Sequence, residues 1–219
     1  MKKEDEIKVK NDDNVGNTAF TVLLEDMMTL RNAETKEHIW YVKEYSRVIS
    51  RAYAKHFPRS RMSMRKQELI IEAAGIHDVG KLIMQDCLLY KQGRMSAYEL
   101  ELYKKHTIKG GQIIKSLSSG RDRDFERICY NVCVYHHEKY DGTGYPYGLK
   151  EDKIPIEAQI VGLADIYDTL LRCRNRESFT KEKAYQMIMN AECGLISPRL
   201  TECFEAVRDE LEGINYVVR

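Results

Sequence analysis

Six histidines punctuate the 219-residue chain, and five of them, His38, His77, His106, His136 and His137, are the candidates for chemistry; His38, His77 and His137 each stand directly beside a carboxylate. The pair His77-Asp78 closes an otherwise apolar run (Leu69, Ile70, Ile71, Ala73, Ala74, Ile76), which delivers an imidazole and a carboxylate to the interior. A buried polar group without a partner costs about 1 to 3 kcal/mol, and an isolated buried charge more. A divalent metal compensates directly. Imidazole nitrogen and carboxylate oxygen together suit Fe, Mn, Zn or similar ions, and Asp78 has the oxygens to bridge two of them. Asp165 ends a second apolar helical run and offers a further oxygen. Taken singly, each residue has a plainer reading: a histidine or aspartate caps its helix, and His136-His137 is a solvated face. Their co-occurrence favours the metal. Adjacent residues on a helix point about 100° apart, so two neighbouring histidines reach one buried centre only along the edge they share.

The elements that must position these groups are helices. Apolar residues at helical spacing run over 18–32 and from Glu34 to about Phe57, and "KQELIIEAAGIHDVGK" (66–81) predicts a buried helix ending at Gly80. Ser96 followed by Glu99 is a capping box that opens a helix predicted to run to 117. Further helices are expected over 122–140, 156–172 (entered after Pro155), 180–190 and 197–212. Strand alternation is nowhere sustained and no internal repeat occurs, so the fold class expected is all-α. Residues 1–17 are polar, charged and aperiodic and read as a disordered leader, with one domain over 18–219. Hydrophobic residues at 43% suffice for a core, while 32% charged residues balanced to a net charge of +1 exclude a bulk nucleic-acid or membrane-surface partner. No apolar window of about 18 residues and no secretory h-region occurs, so a cytoplasmic protein is expected. The six cysteines form no CxxC pair and read as reduced thiols. Cys129, Cys133 and His137 share one helix face, but buried small hydrophobes account for the thiols better than a thiolate site.

In order, "ETKEH" (34–38), "HDVGK" (77–81), "HTIKGG" (106–111), "HHEKYDGTGYP" (136–146), "LKEDKIP" (149–155) and "ADIYDTL" (164–170) resemble the HD-GYP subclass of the HD-domain metal-dependent phosphohydrolases. The likeness covers about residues 20–210. It implies a helical bundle around a metal site that hydrolyses a bacterial cyclic dinucleotide, cyclic di-GMP first. By that resemblance His38, His77, Asp78, His106, His136, His137 and Asp165 match metal ligands, with Asp78 the bridge. Glu34, one helical turn before His38, matches the glutamate that accompanies a third metal, so the resemblance implies two or three divalent ions, with a trinuclear site expected first: Fe or Mn foremost, and Zn, Ni and Co also admissible. Lys81 matches a lysine near the substrate phosphate, a catalytic and substrate-binding role. Gly144, Tyr145, Pro146 and Arg174 match the substrate side of the site.

The chemistry expected is attack of a metal-activated hydroxide on a phosphodiester, with two ions sharing Asp78 and Lys81 adding charge. The chain departs from the family after Asp165, where "LLRCRNRESFT" keeps an arginine at Arg174 but has Asn175, Arg176 and Glu177 in place of proline, tyrosine and a second basic contact. That keeps two alternatives beside the phosphodiesterase: a catalytically silent cyclic-dinucleotide receptor, and an HD phosphatase for another nucleotide. The partners expected are the cyclic dinucleotide and either a regulatory protein or a second copy of the chain.

Overall fold

The computed structural model describes residues 2–117, 120–172 and 178–216, with side chains from residue 16 onward. Eleven α-helices and three short 3-10 turns account for the described secondary structure, with no strand among the described residues. The helices are α1 (Lys2–Leu30), α2 (Lys36–His56), α3 (Met64–Gly75), α4 (Asp86–Leu89), α5 (Ala97–Lys104), α6 (His106–Leu117), α7 (Arg123–Tyr135), α8 (Ile156–Leu171), α9 (Lys181–Met189), α10 (Pro198–Ala206) and α11 (Arg208–Gly213). The backbone of the anticipated leader forms the first turns of α1, and its body-proximal end is anchored: Asn17 is buried and the Gly16 carbonyl accepts from Arg121 Nη1 at 2.8 Å.

The core gathers on α2, which packs against α3, α8 and α10, while α7 packs against α3, α6 and α8. Ile39, Val42, Tyr45, Val48 and Ile49 of α2 are buried against Ile70, Ala73 and Ala74 of α3 and Ile160, Val161 and Ala164 of α8. Thr35 caps α2 by accepting from the His38 N–H at 3.1 Å, which sets Glu34 and His38 at the helix entrance. The capping box at Ser96–Glu99 is present as expected. Glu157 fastens three helices from inside: its carboxylate takes Lys66 of α3 at 3.0 Å, and Asn131 and Arg127 of α7 at 2.8 and 3.3 Å.

Three expected helices end earlier than the sequence pattern indicates, each at a histidine. The helix drawn to Gly80 stops at Gly75, with Val79–Ile83 forming a 3-10 turn, because the His77 ring takes the Ala74 carbonyl through Nδ1 at 2.8 Å. The helix drawn over 96–117 breaks at Lys105, where His106 Nδ1 lies 2.7 Å from the Tyr103 carbonyl. The helix drawn to 140 stops at Tyr135, where His136 Nδ1 lies 2.8 Å from the Val132 carbonyl. Carbonyls near a helix C-terminus lack intrahelical partners, so a ring N–H satisfies one and the turn ends there. The helix drawn over 197–212 is likewise two helices, broken at Val207.

The turn carrying Asp78 lies against α6 without a gap. A Cβ at Gly80 would sit 1.9 Å from the His106 carbonyl oxygen and 2.5 Å from Gly110 N, so only glycine permits this approach.

Candidate metal centre

Each of the three histidines that end a helix spends Nδ1 on a backbone carbonyl, which places a proton on Nδ1 and leaves Nε2 as the nitrogen able to take a metal. These Nε2 atoms face one another across Asp78. His106 Nε2 lies 3.0 Å and His136 Nε2 3.7 Å from Asp78 Oδ1, while His77 Nε2 lies 3.3 Å from Oδ2. The two oxygens of one buried carboxylate thus face different histidines, the layout required of a bridge. Asp165 Oδ1 approaches His77 Nε2 at 3.8 Å and His38 Nε2 at 3.6 Å. Glu34 Oε2 stands 3.8 Å from His38 Nε2.

The donor set passes a chemical test for a metal. His77, Asp78, His106 and His136 are at most 4% exposed, yet Nε2 of the three histidines and Oδ1 of Asp78 have no hydrogen-bond partner. Four converging orphaned atoms would together cost several kcal/mol unless a cation took them. Potential ligand atoms of Asp78, His106, His136 and His137 lie within 4.8 Å of one another, as do those of His38, His77 and Asp78, and of His77, His136 and Asp165. Asp78 and His77 therefore belong to overlapping groups, which is how two ions share ligands.

Charge is arranged to suit. Burial and neighbouring imidazoles hold His136 and His137 well below the ordinary histidine range, so both are neutral imidazoles at pH 7, the form a metal would require. Burial works against the Asp78 carboxylate, but Lys81, His77 and His106 hold it well below its usual range, so it stays ionised. Burial would lower His77, yet the Asp78 charge keeps it raised to about 9, so a cation bound at Nε2 would have to displace a proton there.

The other expected residues fall in three groups. Lys81 is in the cluster itself: Nζ lies 2.5 Å from Glu34 Oε1 and 2.6 Å from Asp78 Oδ2, and 5.5 Å from the Tyr103 ring centroid. The Asp141–Pro146 loop lies alongside. Tyr145 sets its ring 4.7 Å from that of His137, before a cis bond to Pro146. The expectation that Gly142 and Gly144 both supply unusual backbone angles holds for Gly142, at φ +82°. Gly144 is needed for a different reason: a Cβ there would meet Lys139 N at 2.3 Å and His137 O at 2.5 Å. Arg174 lies outside the described residues, as do Asn175, Arg176 and Glu177.

Sequence reasoning passed over the residues that hold these histidines in place. Glu138 is buried and accepts the N–H groups of Tyr147 and Leu149 at 2.8 and 2.9 Å, tying the loop to the histidine pair. Its signal was its place directly after two histidines. Asp168 accepts from His38 Nδ1 at 2.7 Å, and its signal was its spacing, one turn beyond Asp165. Cys129 and Cys133 are in the core, where burial pushes both thiols up, and Cys133 Sγ is directed at the Ile76 carbonyl at 3.3 Å rather than at the histidines.

Comparison with known proteins agrees with this geometry. A 197-residue stretch is 31% identical to a cyclic di-GMP phosphodiesterase of Vibrio cholerae, covering 88% of this chain and 40% of that protein. A phosphodiesterase specific for 3'3'-cGAMP from the same organism is 29% identical over 87% of this chain and 35% of its own length, and a cyclic di-GMP phosphodiesterase of Thermotoga maritima is 34% identical over 65% and 38%. The chain thus spans about two fifths of the length of the curated relatives it matches. An HD-GYP-type protein of Bdellovibrio bacteriovorus shares the fold at a TM-score of 0.60 and 23% identity, over 91% of this chain and 62% of that one. The sequence description of the HD domain matches residues 23–194. The chain belongs to the HD-domain family, and within it carries the HD-GYP signature.

Proposed function

We propose that the chain is a metal-dependent phosphodiesterase that hydrolyses a cyclic dinucleotide, cyclic di-GMP first. The observation that carries this reading is the convergence of three orphaned Nε2 atoms on the Asp78 carboxylate, those of His106 and His136 at Oδ1 and that of His77 at Oδ2, beside the Tyr145 loop. Asp78, His106, His136 and His137 would hold one ion, and His77, Asp78 and Asp165 with His38 a second. When bound, the ions supply a nucleophile at neutral pH and neutralise charge on the phosphate. The chain's own residues do the rest. Asp78 spans the two ion positions, and the Nδ1 hydrogen bonds keep each imidazole aimed inward. Lys81 keeps a positive charge at the edge of the cluster, where Asp78 and Glu34 hold its ammonium well above the ordinary lysine range against the effect of burial. A third ion at Glu34 would compete with Lys81 for Oε1, so we read two ions as the resting complement. Fe or Mn suits the His-rich, carboxylate-bridged set.

The half-buried floor made by Tyr145 and His137 is read as the seat of the substrate, with Arg174 as a phosphate contact by family resemblance. We place the protein in the bacterial cytoplasm and take the unit from about residue 18 as the catalytic domain, with 1–17 as a polar lead-in to it. No described helix is long and apolar enough to cross a membrane. A regulatory protein or a second copy of the chain is the partner we expect.

The test is anaerobic purification, a count of Fe, Mn and Zn per chain, and chromatography of cyclic di-GMP and 3'3'-cGAMP reactions beside an Asp78→Ala control. Metal-dependent conversion of either compound, lost in the control, supports the reading. Metal-loaded protein that binds without converting them makes it a receptor, and turnover of unrelated phosphoesters alone makes it a phosphatase of another kind.

A further inference from the structure

We propose that Asp168 is a positioning residue of the metal centre: with Arg172 behind it, it fixes the His38 ring and so governs occupancy of the ion position that His38 serves. The inference rests on the metal-centre reading above. It begins from a difference among the histidines. His77, His106 and His136 follow the ends of α3, α5 and α7, whose spare carbonyls accept from Nδ1. His38 stands in the first turn of α2, where the spare backbone groups are N–H donors and no spare carbonyl is at hand. An acceptor has to come from another helix.

Helix α8 supplies it. Asp168 Oδ2 lies 2.7 Å from His38 Nδ1, while Asp165, one turn earlier on the same helix, faces the opposite ring nitrogen at 3.6 Å. One helix thus grips both sides of the ring. Asp168 is 1% exposed and is itself held: Arg172 Nε donates to Oδ1 at 2.6 Å, its Nη2 donates to the Tyr45 hydroxyl at 3.1 Å, and its guanidinium lies 3.2 Å from the centroid of the Tyr41 ring. Both Asp168 oxygens are therefore committed, and the carboxylate cannot turn toward the ions. Its effect runs through His38, whose tautomer and direction it sets.

The test is titration of metal-stripped protein with Mn(II), read by calorimetry and by bound Mn per chain after gel filtration, for wild type and Asp168→Asn. An asparagine matches the shape but cannot accept from both His38 and Arg172 without turning an N–H₂ toward one of these donors. Loss of an orienting partner typically weakens binding 10- to 100-fold. That weakening is expected at one class of ion position only, with the position built on Asp78, His106, His136 and His137 retaining wild-type affinity. Retained Mn should fall by one per chain. Arg172→Lys, which keeps the charge but loses the Nε contact and the ring stacking, should weaken the same position less; it also serves as the test if Asp168→Asn does not fold. Unchanged affinities at every position in a folded variant overturn the inference, as does equal weakening at all of them, which would mark a general structural role. Wild-type protein that takes up no metal overturns the underlying reading instead.

Discussion

Replacing Gly80 with alanine puts a methyl group where the turn after Asp78 rests on α6. The new Cβ would lie 1.9 Å from the His106 carbonyl oxygen and 2.5 Å from Gly110 N, both backbone atoms that cannot rotate away. To reach even a tight contact the turn must retreat by about 1 Å, and overpacking of this kind costs about 1 to 3 kcal/mol. For a chain of this size that is a fall in Tm of roughly 2 to 12 °C. The larger effect is on the site. Asp78 Oδ1 lies 3.0 Å from His106 Nε2 across this same joint, so the retreat pulls the proposed bridge away from one ligand. A misplacement of about 1 Å in a catalytic constellation can lower turnover by about 100-fold. The assay pairs thermal melts with Mn titration and turnover of cyclic di-GMP, and uses Gly213→Ala as the control, since a Cβ there meets nothing. A Gly80→Ala protein that keeps wild-type melting, metal affinity and turnover within twofold would refute the reasoning.

Other outcomes follow from the same geometry. Metal at 100 times its Kd should stabilise the native chain by about 2.7 kcal/mol, a rise in Tm of roughly 5 to 11 °C that excess chelator reverses; a melt indifferent to chelator counts against the site. Burial would raise the Glu157 carboxyl, but the Asn131 hydrogen bond and the Lys66 charge bring it below its ordinary value, so it stabilises the fold above the unfolded pKa of about 4.3 and loses that contribution as pH falls through the lower folded value. Glu157→Gln should thus cost about 1.5 to 3 kcal/mol at pH 7, with the gap to wild type closing below about pH 4, as read by urea denaturation. Among the described cysteines, Cys87 is exposed and should react at once with a thiol reagent, whereas Cys129, Cys133 and Cys203 are buried and should react only on unfolding.

Much of the site was legible because its ligand types are rare in apolar runs. A histidine and aspartate after six buried aliphatic positions announce themselves, and the five histidines marked from sequence do converge with Asp78 and Asp165. The helical class was equally plain from periodicity. What the pattern could not give is where helices stop, because His77, His106 and His136 each end one by a side-chain contact that apolar spacing does not encode. Asp168 and Glu138 escaped for a related reason. Their partners are His38, 130 residues away, and backbone N–H groups across a loop, so only the folded chain brings them together. Resemblance alone assigns Lys81 to the phosphate, whereas its contacts to Glu34 and Asp78 come from the packing of the Gly80 turn against α1 and α6.

The most direct measurement of the central claim is a crystal of protein purified without oxygen, with anomalous difference maps collected at the Fe and Mn edges. The account predicts at least two peaks, one among Asp78, His106, His136 and His137 and another between Asp78 and His77 toward Asp165, with Asp168 on the far side of His38 from the ions. Metal-replete protein whose maps show no peak within coordination distance of Asp78 would contradict it.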